Sequence, residues 1–274
     1  MELIKKSIVK EETVDVAALF LQDILSKRIR STDNIKQNEY LLKIDNTNKF
    51  SKGNISGWIG LAKSKKTFAL TMFVSALVGC MRLFGKFNAS SESNVLYIDT
   101  EQSPSDVQRI TRRVKAISLK EDNLYMYGLR PLSPKSRIEA IEILLQQHKV
   151  DVLIIDGIRD LLMDINNAVE STEVMTKLMA WSFDYDIHIA TVLHQNKGDG
   201  HSRGHIGTEL NNKAETILRV SKDEVDGSIS HIEEVFGRGK GFEKFSFFVD
   251  EDGLPKICED YDITVNEDKA PWES

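Results

Sequence analysis

Residues 60–68, GLAKSKKTF, have the spacing of a phosphate-binding loop. In the pattern Gly-x-x-x-x-Gly-Lys-Ser/Thr, three of the four fixed positions are filled by Gly60, Lys66 and Thr67. Lys65 stands where the second glycine belongs. Backbone N–H groups at the start of a helix bind anions. We therefore predict that this loop binds nucleotide phosphates, through Gly60, Leu61, Ala62, Lys63, Ser64, Lys65, Lys66, Thr67 and Phe68. The alternative is a basic helix start on a solvated surface.

Each matching residue type has a chemical role in such a loop. Lys66 would reach the β- and γ-phosphates of ATP, and the hydroxyl of Thr67 would hold Mg²⁺. The pattern usually has glycine at position 65 because the backbone must approach the phosphates closely. We therefore expect Lys65 to keep a backbone conformation that a Cβ tolerates, and its ammonium would add positive charge near the phosphates.

Alternating strand and helix patterns surround the loop. Strands are predicted at 54–60, 93–101, 124–129, 150–156 and 186–194, and helices at 14–30, 66–84, 104–118, 134–148 and 168–184. This alternation predicts an α/β fold with right-handed crossovers and a mostly parallel central sheet flanked by helices. After Lys213, three strand-like runs without intervening helices predict antiparallel strands at the sheet edge. Residues 31–52 are read as a linker or a strand that covers the core.

Polar side chains stand at the ends of three predicted strands. VLIID ends at Asp156, the Walker B position, where an aspartate binds Mg²⁺. VLYIDTE carries Glu101, and TVLHQ carries His194 and Gln195. Taken singly, each has an ordinary explanation: an acidic residue facing solvent at a strand end, or a structural histidine. Their order along the chain favours a nucleotide site, with Asp156 and Gln195 among its binding residues.

Composition limits the class of protein. The chain has 274 residues and a net charge of −6, which argues against a broadly basic nucleic-acid binder. No apolar run approaches the roughly 20 residues of a membrane helix, and the N-terminus lacks a signal-peptide core. We therefore expect a cytoplasmic protein without membrane partners. Its two cysteines, Cys80 and Cys258, are expected to be reduced thiols.

These motifs resemble the RecA/DnaB-type ATPases, and most closely the RepA-like ATPases of plasmids and mobile elements, over roughly residues 50–255. The resemblance implies a RecA-like P-loop core with ATP and Mg²⁺ as cofactors. It also implies that Glu101 polarises the attacking water and that His194 senses the γ-phosphate. Arg238 and Lys240 match basic residues that reach a neighbouring subunit's phosphates. Lys197 and Arg203, with His201 and His205, lie in the segment that would face DNA. Lys65 departs from the family pattern and puts the hydrolysis rate in question.

The resemblance implies an oligomer, expected to be a hexameric ring that acts on single-stranded DNA. We expect three parts: an N-terminal helical arm and linker (1–50), the ATPase domain (51–257) and an acidic tail (258–274). The basic face around Arg109, Arg112, Arg113 and Lys115 is interpreted as a solvated or subunit-facing surface.

Four functions remain open at this point. The first is a replicative helicase or DNA motor of a mobile element. The second is a non-motor ATP-dependent DNA-binding switch, such as a helicase loader or recombination accessory. A degenerate scaffold and a kinase rank below these two.

Overall fold

The computed structural model describes residues 16–195 and 204–258, and its strands and helices alternate along most of the chain. The helices are α1 (Val16–Ser26), α2 (Lys66–Gly79), α3 (Pro104–Ser118), α4 (Pro134–Gln147), α5 (Ala168–Asp184) and α6 (Gly204–Lys213), with a 3-10 helix at Ile158–Leu161. The strands are β1 (Tyr40–Ile44), β2 (Thr47–Ser51), β3 (Ile55–Gly60), β4 (Arg82–Leu83), β5 (Phe87–Ala89), β6 (Val95–Asp99), β7 (Leu124–Gly128), β8 (Val152–Asp156), β9 (His188–His194), β10 (Thr216–Lys222), β11 (Ile229–Gly237), β12 (Phe245–Val249) and β13 (Pro255–Ile257).

Nine of these strands form one sheet, in the order β13-β12-β11-β10-β3-β9-β8-β6-β7. The six strands from β10 to β7 in this order are parallel, and β11, β12 and β13 extend the sheet with antiparallel pairings. The predicted fold class, a mostly parallel sheet flanked by helices with antiparallel C-terminal strands, is confirmed.

Side chains alternate between the two faces of the sheet, as the strand geometry requires. On β8, Val152 and Ile154 pack in the core beneath α2, whereas Leu153 and Ile155 pack in the core with α4, α5 and α6. Both faces of the strand are therefore buried. This accounts for the near-continuous apolar run from residue 150 to 156.

The helix bounds follow their capping residues. Ser103 accepts a hydrogen bond from the Asp106 N–H, and Pro104 occupies the first turn of α3. Asn167 accepts from the Val169 and Glu170 N–H groups at the start of α5. Both helices match their predicted bounds because these signals are local in the sequence.

α2 is shorter than the predicted helix over residues 66–84. It ends at Gly79, and Cys80 adopts the left-handed conformation with φ of 48°. The next residues form β4 and β5, which join β1 and β2 in a separate four-stranded antiparallel sheet with the order β2-β1-β5-β4. α2 shares an apolar core with both sheets, so nearly all of its residues are buried and its apolar pattern does not mark where it ends.

The chain divides into two compact units between Gln37 and Asn38. The second unit therefore begins before residue 51, and β1 and β2 contribute buried side chains such as Leu42 and Phe50 to its core. In the first unit, α1 exposes a set of apolar side chains, Leu19, Phe20, Leu21, Ile24 and Leu25. Within the described part of the chain, no helix has the length and apolar character to cross a membrane.

α6 lies in a stretch where the sequence pattern predicted no helix. It begins at Gly204, whose φ is 72°, and buries Ile206 and Leu210 on one face. Ten residues preceded by a glycine-rich sequence give only a short periodic signal, and this explains why the helix was missed.

His188 is a fully buried ring at the start of β9. Its Nδ1 lies 2.9 Å from the Ser51 carbonyl oxygen and its Nε2 lies 2.8 Å from the Ser56 Oγ. A carbonyl oxygen only accepts, so Nδ1 donates and Nε2 accepts from the serine hydroxyl. Burial lowers the pKa of His188, although the Glu215 carboxylate 3.6 Å away favours the charged form.

The neutral His188 predicts a loss of stability in acid. An unfolded histidine protonates near pH 6.5, so below that pH the unfolded state binds more protons than the native state and stability falls as pH falls. Between about pH 7.5 and about pH 5.5 we expect His188 to contribute a loss of about 1 kcal/mol. Urea unfolding of the wild type and His188→Asn at both pH values measures this. The variant should be less stable at the higher pH but lose less on acidification.

The control is His205→Gln, which changes an exposed histidine on α6. It should keep the wild-type pH dependence. An unchanged acid loss in His188→Asn would show that other groups cause it.

Candidate active site

A cleft of about 370 Å³ lies at the carboxyl ends of β3, β6, β8 and β9. Strand register explains the convergence, since Gly60 on β3 pairs with His194 on β9, and Asp99 on β6 pairs with Asp156 on β8. Residues from every predicted nucleotide-binding motif therefore line one cavity: Lys63, Ser64, Lys65, Lys66, Thr67, Phe68, Glu101, Asp156 and His194.

The start of the phosphate loop is pressed against β10. A Cβ on Gly60 would lie 2.2 Å from the Val220 carbonyl oxygen and 2.7 Å from the Ser64 Oγ, so only glycine fits there. Leu61, Ala62 and Lys63 follow as an exposed turn. Ser64 is buried, and among the described residues its hydroxyl has no hydrogen-bond partner. A buried hydroxyl beside a backbone cradle suits a phosphate oxygen.

Lys65 does not take the conformation expected from the sequence. Its φ of 67° and ψ of 29° place it in the left-handed region at the N-cap of α2, which disfavours a residue with a Cβ by about 1–2 kcal/mol. The backbone thus keeps a conformation that favours glycine, although a lysine occupies the position. The Lys65 ammonium donates to the Ser228 carbonyl in the β10–β11 turn. Burial and the nearby Lys222 lower the pKa of Lys65.

Lys66 is buried in the floor of the cleft. Its Nζ donates to the Gly60 and Leu61 carbonyl oxygens at 3.0 and 2.8 Å, and lies 3.1 Å from the His194 Nδ1. Burial lowers the pKa of Lys66 to about 8, opposed by the Asp156 and Glu101 carboxylates. The ammonium therefore lies at the point where the loop, the Walker B strand and the predicted sensor meet.

Asp156 and Thr67 supply the oxygens that would hold Mg²⁺. Asp156 is buried, and its Oδ2 accepts a 2.7 Å hydrogen bond from the Tyr97 hydroxyl. Burial raises the pKa of Asp156 to about 7, with Asp99 and Glu101 adding repulsion. A divalent cation would relieve both effects. Among the described residues no cluster of three His, Cys, Asp or Glu side chains could hold a metal. The Thr67 hydroxyl and the Asp156 carboxylate fit Mg²⁺, which binds through one or two protein oxygens together with nucleotide phosphates.

Glu101 follows β6 and is half exposed to the cleft. Its Oε1 lies 3.7 Å from the His194 Nε2. The proximity of His194 holds the pKa of Glu101 below its usual value, and the charges of Lys66 and Arg159 act in the same direction. Glu101 is therefore an ionised carboxylate that faces the cavity, the state required of a group that takes a proton.

Asp99, the other carboxylate of this strand end, is committed to local structure. It is buried and accepts hydrogen bonds from the Glu101 and Gln102 N–H groups at 3.0 and 2.7 Å, and from the Gln102 side chain at 2.7 Å. These bonds fix the turn that presents Glu101. Asp99 is thus a positioning group.

The basic face of α3 divides in two. Arg109 and Arg113 line the cleft, with the Arg113 guanidinium 4.1 Å above the Phe68 ring, whereas Arg112 and Lys115 are exposed and do not line it. The sequence interpretation of this face as a solvated or subunit-facing surface therefore misses the first pair. A helical spacing of four residues, from 109 to 113, was the available signal.

Arg238 lies at the opposite edge of the sheet from the cleft. Gly237 is level with Thr216 and Ser56, so Arg238 follows at the amino ends of the parallel strands. The Gly60 end is about 13 Å further along. Arg238 donates to the Lys213 carbonyl at 3.0 Å. The geometry therefore excludes a contact with the phosphates bound in its own subunit.

A buried ion pair holds the segment that carries Arg238 and Lys240. Lys49 lies 2.6 Å from Glu234 and also donates to the Lys240 carbonyl at 2.9 Å. Both side chains of the pair are almost fully buried, so the segment after β11 is anchored to β2.

The remaining predicted residues follow β9. Gln195 is buried, and its N–H donates to the Gly60 carbonyl at 3.1 Å, so it supports the loop from behind. The predicted DNA-binding residues Lys197 and Arg203, with His201, lie outside the described residues. His205 is exposed in the first turn of α6.

Sequence reasoning missed Tyr97, Thr100, Arg159 and Asp160, which complete the site. Tyr97 binds the Asp156 carboxylate, and the Thr100 Oγ1 accepts from the Gly157 N–H at 3.0 Å and donates to Asp160 at 2.9 Å. Arg159 lines the cavity beside Glu101. Their types carry no motif, and only their places beside Glu101 and Asp156 could have indicated them.

The left-handed backbone at Lys65 predicts an order of stability. Lys65→Ala removes the Ser228 contact and keeps the cost of a Cβ in the left-handed conformation. Lys65→Gly removes the contact and also removes that cost. We expect the glycine variant to be more stable than the alanine variant by about 1 kcal/mol, measured by urea unfolding. Equal stabilities would mean that the loop is not held in this conformation.

A comparison with protein families matches residues 32–200 to a family model described as an AAA domain. The matched region includes the four-stranded sheet, the phosphate loop, Glu101, Asp156 and His194. No curated protein gave a match. Because the match covers well over half of the 274 residues, the chain belongs to the AAA domain family of P-loop ATPases.

Proposed function

We propose that this protein is a RepA-like ATPase that couples ATP hydrolysis to work on DNA, as a replicative helicase or DNA motor of a mobile element. The observation that carries the proposal is the convergence of Lys66, Glu101, Asp156 and His194 on one cleft. A nucleotide-binding scaffold has no need for an ionised glutamate held next to the phosphate loop.

Binding uses the groups of the loop. The N–H groups at the start of α2 and the Lys66 ammonium bind the phosphates, and the Ser64 hydroxyl faces the same cradle. Thr67 and Asp156 would hold Mg²⁺, which supplies positive charge to the β- and γ-phosphates when bound. Neutralising that charge is the main requirement, because phosphoryl transfer depends on positioning and electrostatic stabilisation.

Hydrolysis then requires a water molecule to be oriented and deprotonated. The Glu101 carboxylate accepts a proton from water as the water oxygen attacks the γ-phosphorus, and the bond between that phosphorus and the ADP oxygen breaks. His194, between Lys66 and Glu101, senses whether the γ-phosphate is present. The products are ADP and inorganic phosphate.

Assembly and DNA binding extend the proposal beyond one subunit. Arg238, which lies away from its own cleft, and Lys240 would reach the phosphates bound by a neighbouring copy in a homo-oligomeric ring, proposed to be a hexamer. Lys197 and Arg203 would contact the phosphates of single-stranded DNA, with an affinity that falls as salt rises.

The proposal predicts ATP turnover that depends on Glu101. Glu101→Gln keeps the shape of the side chain but cannot take a proton, so phosphate release should fall by about 10²-fold or more. ATP binding, measured by titration with a fluorescent ATP analogue, should persist. Single-stranded DNA should stimulate the wild-type rate.

Glu139→Gln is the control, because it changes an exposed carboxylate on α4. ATP hydrolysis by Glu101→Gln at the wild-type rate would contradict the mechanism. Turnover without strand displacement on a forked duplex would favour the non-motor switch. Tight ATP binding without any wild-type turnover would contradict the hydrolytic function itself.

A further inference from the structure

Arg159 lies in the cleft, and no role was predicted for it from the sequence. It follows Asp156 by three residues, within the 3-10 helix Ile158–Leu161 that leaves the Walker B strand. Its side chain is about half exposed and lines the cavity with Lys66, Glu101 and His194. Its charge helps to lower the pKa of Glu101, so the two groups are electrostatically coupled.

The backbone under Arg159 is fixed to the strand end that presents Glu101. Asp160 accepts from the Thr100 Oγ1 at 2.9 Å through one oxygen, and the Arg159 guanidinium lies 3.3 Å from its other oxygen. The Asp160 carbonyl accepts a 2.6 Å hydrogen bond from Arg137. These hydrogen bonds fix the backbone of Arg159 relative to Thr100 and Glu101.

The other arginines of the cleft have different partners. Arg113 stacks on Phe68 and donates to the Gly253 carbonyl at 2.9 Å, and Arg109 pairs with Asp106 on the same helix. Both lie on α3, which lines one side of the cleft. Arg159 comes from the β8 side, next to the groups that would hold Mg²⁺ and activate water.

We propose that Arg159 contacts the transferred phosphoryl group from within the same chain and stabilises the charge that develops on it during hydrolysis. This inference rests on the proposed ATPase function. A guanidinium offers several N–H donors in a fixed plane that match phosphate oxygens. It would complement the Lys66 ammonium, which lies on the loop side of the same cavity.

The first experiment compares ground-state and transition-state binding. Arg159→Gln should lower kcat by about 10²- to 10³-fold. It should weaken binding of ADP with aluminium fluoride, a mimic of the transferred phosphoryl group, and leave ADP binding nearly unchanged. Arg159→Lys, which keeps the charge, should recover part of both losses.

Arg112→Gln is the matched control, because Arg112 is exposed on α3 and does not line the cleft. It should behave as wild type. Equal weakening of ADP and of the fluoride complex in Arg159→Gln would indicate a structural role and overturn the proposal. If Arg159→Gln hydrolyses ATP at the wild-type rate, the proposal is also overturned. If the wild-type protein itself does not hydrolyse ATP, the proposed function is contradicted instead.

A second experiment distinguishes action within one chain from action between chains. Glu101 and Arg159 serve the same site, so mixing Glu101→Gln with Arg159→Gln should restore no turnover beyond the sum of the two. Mixing Glu101→Gln with Arg238→Ala should restore turnover, because an intact site can then meet an intact Arg238. Restored turnover in the first mixture would show that Arg159 acts on a neighbour and would overturn the proposal.

Discussion

The candidate site depends on the burial of one ammonium group. The Lys66 Nζ is held by two carbonyl oxygens of its own loop and lies beside His194. A buried charge is costly unless polar groups and opposite charges surround it. Here those groups come from four strands, so the ammonium requires the carboxyl ends of β3, β9, β8 and β6 to meet. The parallel arrangement of adjacent strands satisfies that requirement.

The meeting of Glu101, Asp156 and His194 could be predicted because it follows from this sheet geometry. Each residue ends a β-rich run, and the ends of parallel strands share an edge. The bounds of helices α3 and α5 could also be predicted, since Ser103, Pro104 and Asn167 mark where these helices start. α6 and the β4–β5 hairpin were missed because each is short and lacks a sustained period.

Other parts of the site depend on hydrogen bonds that residue types and spacing do not reveal. The choice of Glu101 over Asp99 as the free carboxylate is made by the N–H groups of Glu101 and Gln102, which occupy Asp99. The conformation of Lys65 is fixed in part by the Ser228 carbonyl, more than 150 residues away in the chain. A motif records residue types and spacing, and neither reveals such a partner.

The β10–β11 hairpin has a structural role at both of its ends. The end of β10 backs the phosphate loop at Gly60, and the β10–β11 turn accepts the Lys65 ammonium. The other end of the same hairpin leads to Arg238, which is anchored near the Lys49–Glu234 pair. One hairpin therefore joins a chain's own phosphate loop to the arginine proposed to serve a neighbour.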